Sequence, residues 1–180
     1  VAPTIEWTKK PNRKYFLEHL INDNGYMSMA EIGVRDGRTT FYLLDKIPYL
    51  KIYAVDTDIR LFYNDEVAKK YGDRLIPING DSSVVAERVP KVDLIFIDAA
   101  KAQSIKFFEK YEHNLTSKGI IVTDNLLFHG LVNQEVNDRN LRQLLTKIDR
   151  FNHWVVQKEG YDTYIYELGD GMSVSIKRGE

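Results

Sequence analysis

Short apolar runs alternate along this chain with segments of mixed polarity, and the two kinds differ in period. Residues 26–33 (YMSMAEIG) form an apolar run that closes on glycine, the pattern of a short strand entering a turn. Residues 39–47 follow as a helix that stops before Pro48, and 51–56 (KIYAVD) read as a β-branched and aromatic strand. Residues 60–71 are helical in character up to Gly72, 75–79 are a strand, and 82–89 a short helix capped by Asp81 or Ser82. Residues 92–98 (VDLIFID) and 119–124 (GIIVTD) are almost continuously apolar, as strands buried on both faces are. Between them, 103–115 carry Ile105, Phe108 and Tyr111 at helical spacing. Asn137 or Asp138 caps a long helix whose Leu141, Leu144, Leu145, Ile148 and Phe151 form one apolar stripe. Residues 161–168 and 172–177 read as strands, and the Gly169-Asp170-Gly171 link is too tight for a crossover helix, so this pair is expected to be antiparallel.

Five strands alternating with helices and then a hairpin predict an α/β fold, an open Rossmann-like sheet with helices on both faces. Ligands in such sheets bind beyond the carboxyl ends of the strands, near the switch in strand order. Four predicted strands end in carboxylates or glycine turns: Glu31-Ile32-Gly33, Asp56, Asp98 and Asp124-Asn125.

Composition narrows the picture. A chain of 180 residues that is 43% hydrophobic and 28% charged has ordinary globular character, and one domain over 1–180 is expected, with 1–25 as a short N-terminal extension. The formal net charge of −1 gives no global pull toward nucleic acid or an anionic membrane. The absence of cysteine removes disulfides, thiolate metal sites and Cys nucleophiles. No apolar run is long enough to span a bilayer, and residues 1–11 lack the apolar core of a signal peptide, so a soluble, cytoplasmic protein is expected.

The sequence E-I-G-V-R-D-G (31–37) opens the first helix, and Asp56 ends the next strand 23 residues after Gly33, where a carboxylate can accept from both hydroxyls of a ribose. The spacing is not the dinucleotide G-x-G-x-x-G, and Asp36 is a poor neighbour for a pyrophosphate; both points favour S-adenosylmethionine over NAD. Asp58 competes for the ribose role, but Asp56 directly ends the apolar strand. Gly80-Asp81-Ser82 could meet the adenine edge or serve as a helix cap. On the other side, Asp98 and Asp124-Asn125 end neighbouring strands about 5 Å apart, so three oxygen donors could converge on a hard cation such as Mg²⁺ and leave room for substrate oxygens. Lys101, three residues after Asp98, falls on the same side and could reach a substrate hydroxyl. His129 lies just past the Asp124-Asn125 turn; His19, His113 and His153 have no metal-ligand spacing, and Trp7 and Trp154 read as packing residues.

The stretches V-D-L-I-F-I-D-A-A-K (92–101), G-I-I-V-T-D-N (119–125) and L-F-H-G-L-V (127–132) resemble the cation-dependent class I O-methyltransferases, the family of catechol and caffeoyl-CoA O-methyltransferases. In the second half the likeness is to the bacterial tRNA 5-hydroxyuridine methyltransferase group. The first half departs from it at Gly37-Arg38-Thr39 and Asp56, and its E-I-G-V-R-D-G-R-T (31–39) resembles another methyltransferase branch, one that includes sugar O-methyltransferases. The resemblance implies metal ligands at Asp98, Asp124 and Asn125, and a lysine beside the reacting hydroxyl at Lys101. It implies a cofactor motif at Glu31, Gly33, Gly37 and Thr39, a ribose acid at Asp56, and adenine contacts at Asp81 and Ser82. Asp98 then serves the cofactor side, the metal and catalysis together. The expected reaction is methyl transfer from S-adenosylmethionine to a hydroxyl acceptor, either tRNA or a small catechol-like, CoA-linked or sugar molecule, with a homodimer as the expected assembly. Arg139, Arg142, Lys147 and Arg150 offer a basic edge for the tRNA alternative. The competing classes are an NAD-dependent oxidoreductase and a non-catalytic S-adenosylmethionine-binding module.

Overall fold

The computed structural model describes residues 12–124, 126, 131, 135–168 and 170–179. The chain opens with helix α1 (Arg13–Asn24), whose N-cap Asn12 side chain accepts from the Tyr15 amide and whose C-cap Gly25 takes the left-handed conformation. There follow β1 (Ser28–Ile32), α2 (Arg38–Lys46), β2 (Lys51–Asp56), α3 (Asp65–Tyr71), β3 (Leu75–Asn79), β4 (Val92–Ile97), α4 (Ser104–Tyr111), β5 (Leu115–Asp124), α5 (Arg139–Gln157), β6 (Tyr161–Tyr166) and β7 (Met172–Lys177).

The seven strands form one sheet in the order β3-β2-β1-β4-β5-β7-β6. The first five are parallel, and β7 pairs antiparallel with both β5 and β6. The order therefore reverses between β1 and β4, and the carboxyl ends of these strands frame the crevice that such a switch creates.

Strand alternation explains the unbroken apolar runs. Leu94 and Phe96 of β4 join a core with Phe16, Leu17, Leu20 and Ile21 of α1 and Leu43 and Leu44 of α2. Ile95 and Ile97 point the other way, into a core with Phe107, Phe108 and Tyr111 of α4 and Phe151 and Val155 of α5. Both faces are covered, and the polar positions stand out: Asp93 of β4 accepts from the Met27 and Ser28 amides and the Thr116 hydroxyl, while the Thr123 hydroxyl of β5 is buried without a hydrogen-bond partner among the described residues.

Several sequence expectations need correction. The helix expected over 60–71 is broken: a 3-10 turn at Ile59–Leu61 is capped by Asp58, and α3 begins only after Asn64, whose side chain accepts from the Val67 amide. A second local cap in the same stretch stops one helix from running through. The helix expected over 82–89 is a 3-10 turn, Val85–Arg88, and the one over 103–115 shortens to Ser104–Tyr111 because Leu115 already belongs to β5. Helix α1 was not expected at all, although Phe16, Leu17, Leu20 and Ile21 carry its buried stripe.

Candidate active site

The loop after β1 is shaped by backbone rather than by side chains. Gly33 has φ 90°, and a Cβ there would lie inside contact distance of the Asp98 carbonyl oxygen and 2.8 Å from its carbon. Only glycine lets the first loop close against the end of β4. The Gly33 amide donates to the Val55 carbonyl (3.0 Å), and the Asp98 amide donates to the Ile32 carbonyl (2.8 Å), so three strand ends are tied together at this level.

Asp56 fixes the same loop from β2. Its Oδ2 accepts from the backbone amides of Val34 (2.9 Å) and Arg35 (2.8 Å), and its Oδ1 from the Asp58 amide (3.1 Å). The Thr57 hydroxyl lies 3.4 Å from Oδ1, the longest of these contacts and the easiest for a ligand hydroxyl to replace. Arg35 sits at φ 60°, a conformation that disfavours a side chain by about 1–2 kcal/mol, and its amide bond to Asp56 helps hold it there. Asp58, the rival for the ribose role, is engaged by the Arg60 guanidinium through both carboxylate oxygens.

A cavity of about 400 Å³ opens beyond these strand ends and is lined by Gly33, Asp56, Asp81, Ser82, Asp98 and Lys101, together with Arg35, Ala99 and Phe107. Six residues named from sequence thus meet in one crevice. Asp81 braces its own turn, accepting from the Ser83 amide and hydroxyl, while Ser82 is buried and its carbonyl accepts from Tyr111. Glu31, Gly37 and Thr39 do not line the cavity. Gly37 begins α2 at φ 83°, where a Cβ would strike the Phe41 ring, and Thr39 is buried in the first turn. Glu31 lies beneath the loop and accepts from the Thr40 hydroxyl (3.0 Å); burial pushes its carboxyl up to about 8 against the opposing effect of that bond.

At the β4 and β5 ends, two buried carboxylates face one positive atom. Arg13 Nη1 donates to Asp98 Oδ2 (2.8 Å) and to Asp124 Oδ2 (3.1 Å). Each carboxylate side chain is 5% exposed, and Arg13 is 38% exposed. Burial works against the Arg13 charge, but Asp98 and Asp124 outweigh it and hold the guanidinium above its ordinary range. Burial and the neighbouring Asp124 charge push Asp98 up, against the pull of Arg13, Lys101 and Arg35. Half-burial pushes the Lys101 ammonium down, overriding Asp98 and Asp124. Asn125, expected as the third ligand, and His129 lie outside the described residues. Among the described residues no three His, Cys, Asp or Glu side chains gather as a metal-binding set. Arg13 and Arg35 were not named from sequence; the α1 stripe could have brought Arg13 to the site, but nothing in the sequence marks Arg35 as left-handed.

A larger groove of about 960 Å³ runs from Lys101 between α4 and α5, where Lys106, Lys110, His113, Lys147 and Arg150 meet Glu87 and Glu109. Arg139 and Arg142 of the expected basic edge do not line it, although both are exposed on α5. Trp154 packs against Phe108 and Phe151, as a core residue does. No helix among the described residues is long and apolar enough to cross a membrane.

Comparison with known proteins adds to this geometry. The chain is 31% identical over 91 residues to a caffeoyl-CoA O-methyltransferase of Populus kitakamiensis; the match takes in 49% of this chain and 39% of that protein. The chain therefore spans about two-fifths of the length of that curated relative. A candidate caffeoyl-CoA O-methyltransferase from Staphylococcus aureus superimposes with a TM-score of 0.86 at 30% identity, covering 98% of this chain and 86% of the other. The fold is shared with a Bacillus cereus O-methyltransferase solved with S-adenosylhomocysteine, with a TM-score of 0.77 at 19% identity over 92% of this chain and 80% of that one. A family model described as O-methyltransferase matches residues 4–178, and with 30% identity to the staphylococcal protein along nearly its whole length, the chain belongs to the O-methyltransferase family.

Proposed function

We propose that this protein transfers a methyl group from S-adenosylmethionine to the hydroxyl of an acceptor held by a divalent cation. The observation that carries the proposal is the convergence of Asp98 Oδ2 and Asp124 Oδ2 on one positive nitrogen, at the rim of the crevice that contains Asp56, Asp81 and Ser82. Hard carboxylate oxygens suit Mg²⁺, and Asn125 would complete the set. When bound, the cofactor supplies the methyl group and the cation supplies Lewis-acid stabilisation of the acceptor oxygen.

The chain's own residues do the rest. Asp56 would hold the ribose, with Gly33 giving the ligand access to the backbone of the first loop. Asp81 and Ser82 would meet the adenine from the β3 side. Lys101, its ammonium depressed by burial, would take the proton of the acceptor hydroxyl or stabilise the oxyanion. With cofactor and acceptor groups on adjacent strand ends, holding both reactants in line would be the main work of the fold. The likeness to the poplar and staphylococcal proteins supports a small CoA-linked or catechol-like acceptor.

The groove beside Lys101 favours a second reading. Its lysines and Arg150 outnumber its two glutamates, and such a lining suits a polyanionic acceptor such as tRNA. The test is release of S-adenosylhomocysteine from S-adenosylmethionine and Mg²⁺ with catechol, caffeoyl-CoA or bulk tRNA as acceptor. Turnover with a small acceptor alone supports the first reading, and salt-sensitive turnover with tRNA alone supports the second. No turnover with any of them counts against both.

A further inference from the structure

Arg13 has no part in the chemistry above, yet its guanidinium fills the point where two acidic strand ends meet. A single nitrogen, Nη1, lies 2.8 Å from Asp98 Oδ2 and 3.1 Å from Asp124 Oδ2. A divalent ion held by the same two oxygens would sit about 2.0–2.6 Å from each, so ion and guanidinium exclude one another. The charges differ too. The Arg13 guanidinium brings one positive charge to the pair, beside the fields of Lys101 and Arg35, whereas a divalent ion brings two.

The local architecture lets Arg13 leave. The carboxylates are each 5% exposed and fixed at strand ends, whereas Arg13 is 38% exposed and carries a long flexible stem. Helix α1 does not depend on the contact: Phe16, Leu17, Leu20 and Ile21 are buried in the core, Asn12 caps the first turn, and Glu18 accepts from Tyr42 at 2.6 Å. The side chain can swing into solvent while the helix stays docked.

We propose that Arg13 is an internal stand-in for the cation: it neutralises Asp98 and Asp124 in the cation-free protein, and a divalent ion binds by displacing it. This rests on the reading that these carboxylates bind a cation. Arg13 thereby sets the cation affinity and keeps two buried acids compatible with a folded, cation-free chain.

Mn²⁺ binding to the full chain, followed by electron paramagnetic resonance without cofactor or acceptor, tests this in wild type, Arg13→Gln and Asp124→Asn. Arg13→Gln is expected to bind Mn²⁺ at least tenfold more tightly than wild type and to gain more thermal stability from it; Asp124→Asn should lose binding. Equal Mn²⁺ affinity in wild type and Arg13→Gln overturns the role of Arg13 and leaves the cation reading standing. Absence of binding in both overturns the two together. A measurement on wild type alone removes any dependence on how the variant folds. The Arg13 Nε–H resonance should move to a solvent-exposed position as Mg²⁺ saturates the protein, and an unmoved resonance at saturation refutes displacement.

Discussion

Gly33→Ala offers a sharp test of how the crevice is built. The added methyl would lie inside contact distance of the Asp98 carbonyl oxygen, 2.8 Å from its carbon and 3.0 Å from Ala99 Cα, all backbone atoms that cannot rotate away. It would also place a side chain at φ 90°. The conformational part is about 1–2 kcal/mol. Forcing the loop and the β4 end apart adds about 1–3 kcal/mol, as overpacking does elsewhere. Gly25→Ala isolates the first part, because Gly25 sits at φ 64° with nothing within 4 Å of its added methyl. For a domain of this size about 1 kcal/mol corresponds to roughly 2–4 °C in Tm. Scanning calorimetry should therefore show a fall of roughly 2–8 °C for Gly25→Ala and at least twice the Gly25→Ala value for Gly33→Ala. Calorimetric titration should also show S-adenosylhomocysteine affinity lowered at least tenfold in Gly33→Ala alone. If the two variants lose the same stability and both keep wild-type affinity, the close approach of loop and β4 is not what shapes the site.

Asp56→Asn should weaken S-adenosylhomocysteine binding tenfold or more, since each charge-assisted ribose bond contributes about 1.5–3 kcal/mol, and unchanged affinity by calorimetry would remove the ribose role. Glu31 titrates from its ordinary 4.5 in the unfolded chain to about 8 in the fold. The neutral carboxyl's contribution is thus complete below pH 4.5 and lost as pH rises through about 8, so wild-type Tm should fall relative to Glu31→Gln across that window; parallel curves would contradict a buried neutral acid. Lys101→Met should lower the rate of methyl transfer by about a hundredfold or more while leaving S-adenosylhomocysteine affinity within a few-fold, and a wild-type rate would exclude proton transfer by this group.

The parts of the fold that were readable from sequence are those where one physical cause dominates. Strands β4 and β5 had to be apolar on both faces, and the short Gly169-Asp170-Gly171 link ruled out a crossover; β6 and β7 are antiparallel, although Gly169 itself lies outside the described residues. Gly33, Asp56, Asp81, Ser82, Asp98 and Lys101 were legible because a doubly wound sheet delivers its strand ends to one edge. Local competition was not legible: Asp58 and Asn64 cap successive turns and break a stretch whose pattern reads as one helix. Gly37 and Thr39, matched to the cofactor motif, do not line the crevice: a Cβ on Gly37 would strike the Phe41 ring, and Thr39 is buried at the start of α2. Arg13 was missed for a different reason. Its meeting with Asp98 and Asp124 spans 85 and 111 residues of sequence, and only the docking of α1 on the sheet brings it there.

The division of the strand edge into a cofactor side and a cation side is tested most directly by one paired measurement: methyl transfer and S-adenosylhomocysteine binding, each with Mg²⁺, in excess chelator, and after Mg²⁺ is restored, using an acceptor shown to turn over. The expected result is that chelation abolishes transfer, that Mg²⁺ restores it, and that S-adenosylhomocysteine affinity stays within a few-fold throughout. Transfer at full rate in excess chelator would contradict a cation at Asp98 and Asp124, and loss of S-adenosylhomocysteine binding on chelation would contradict the separation of the two halves.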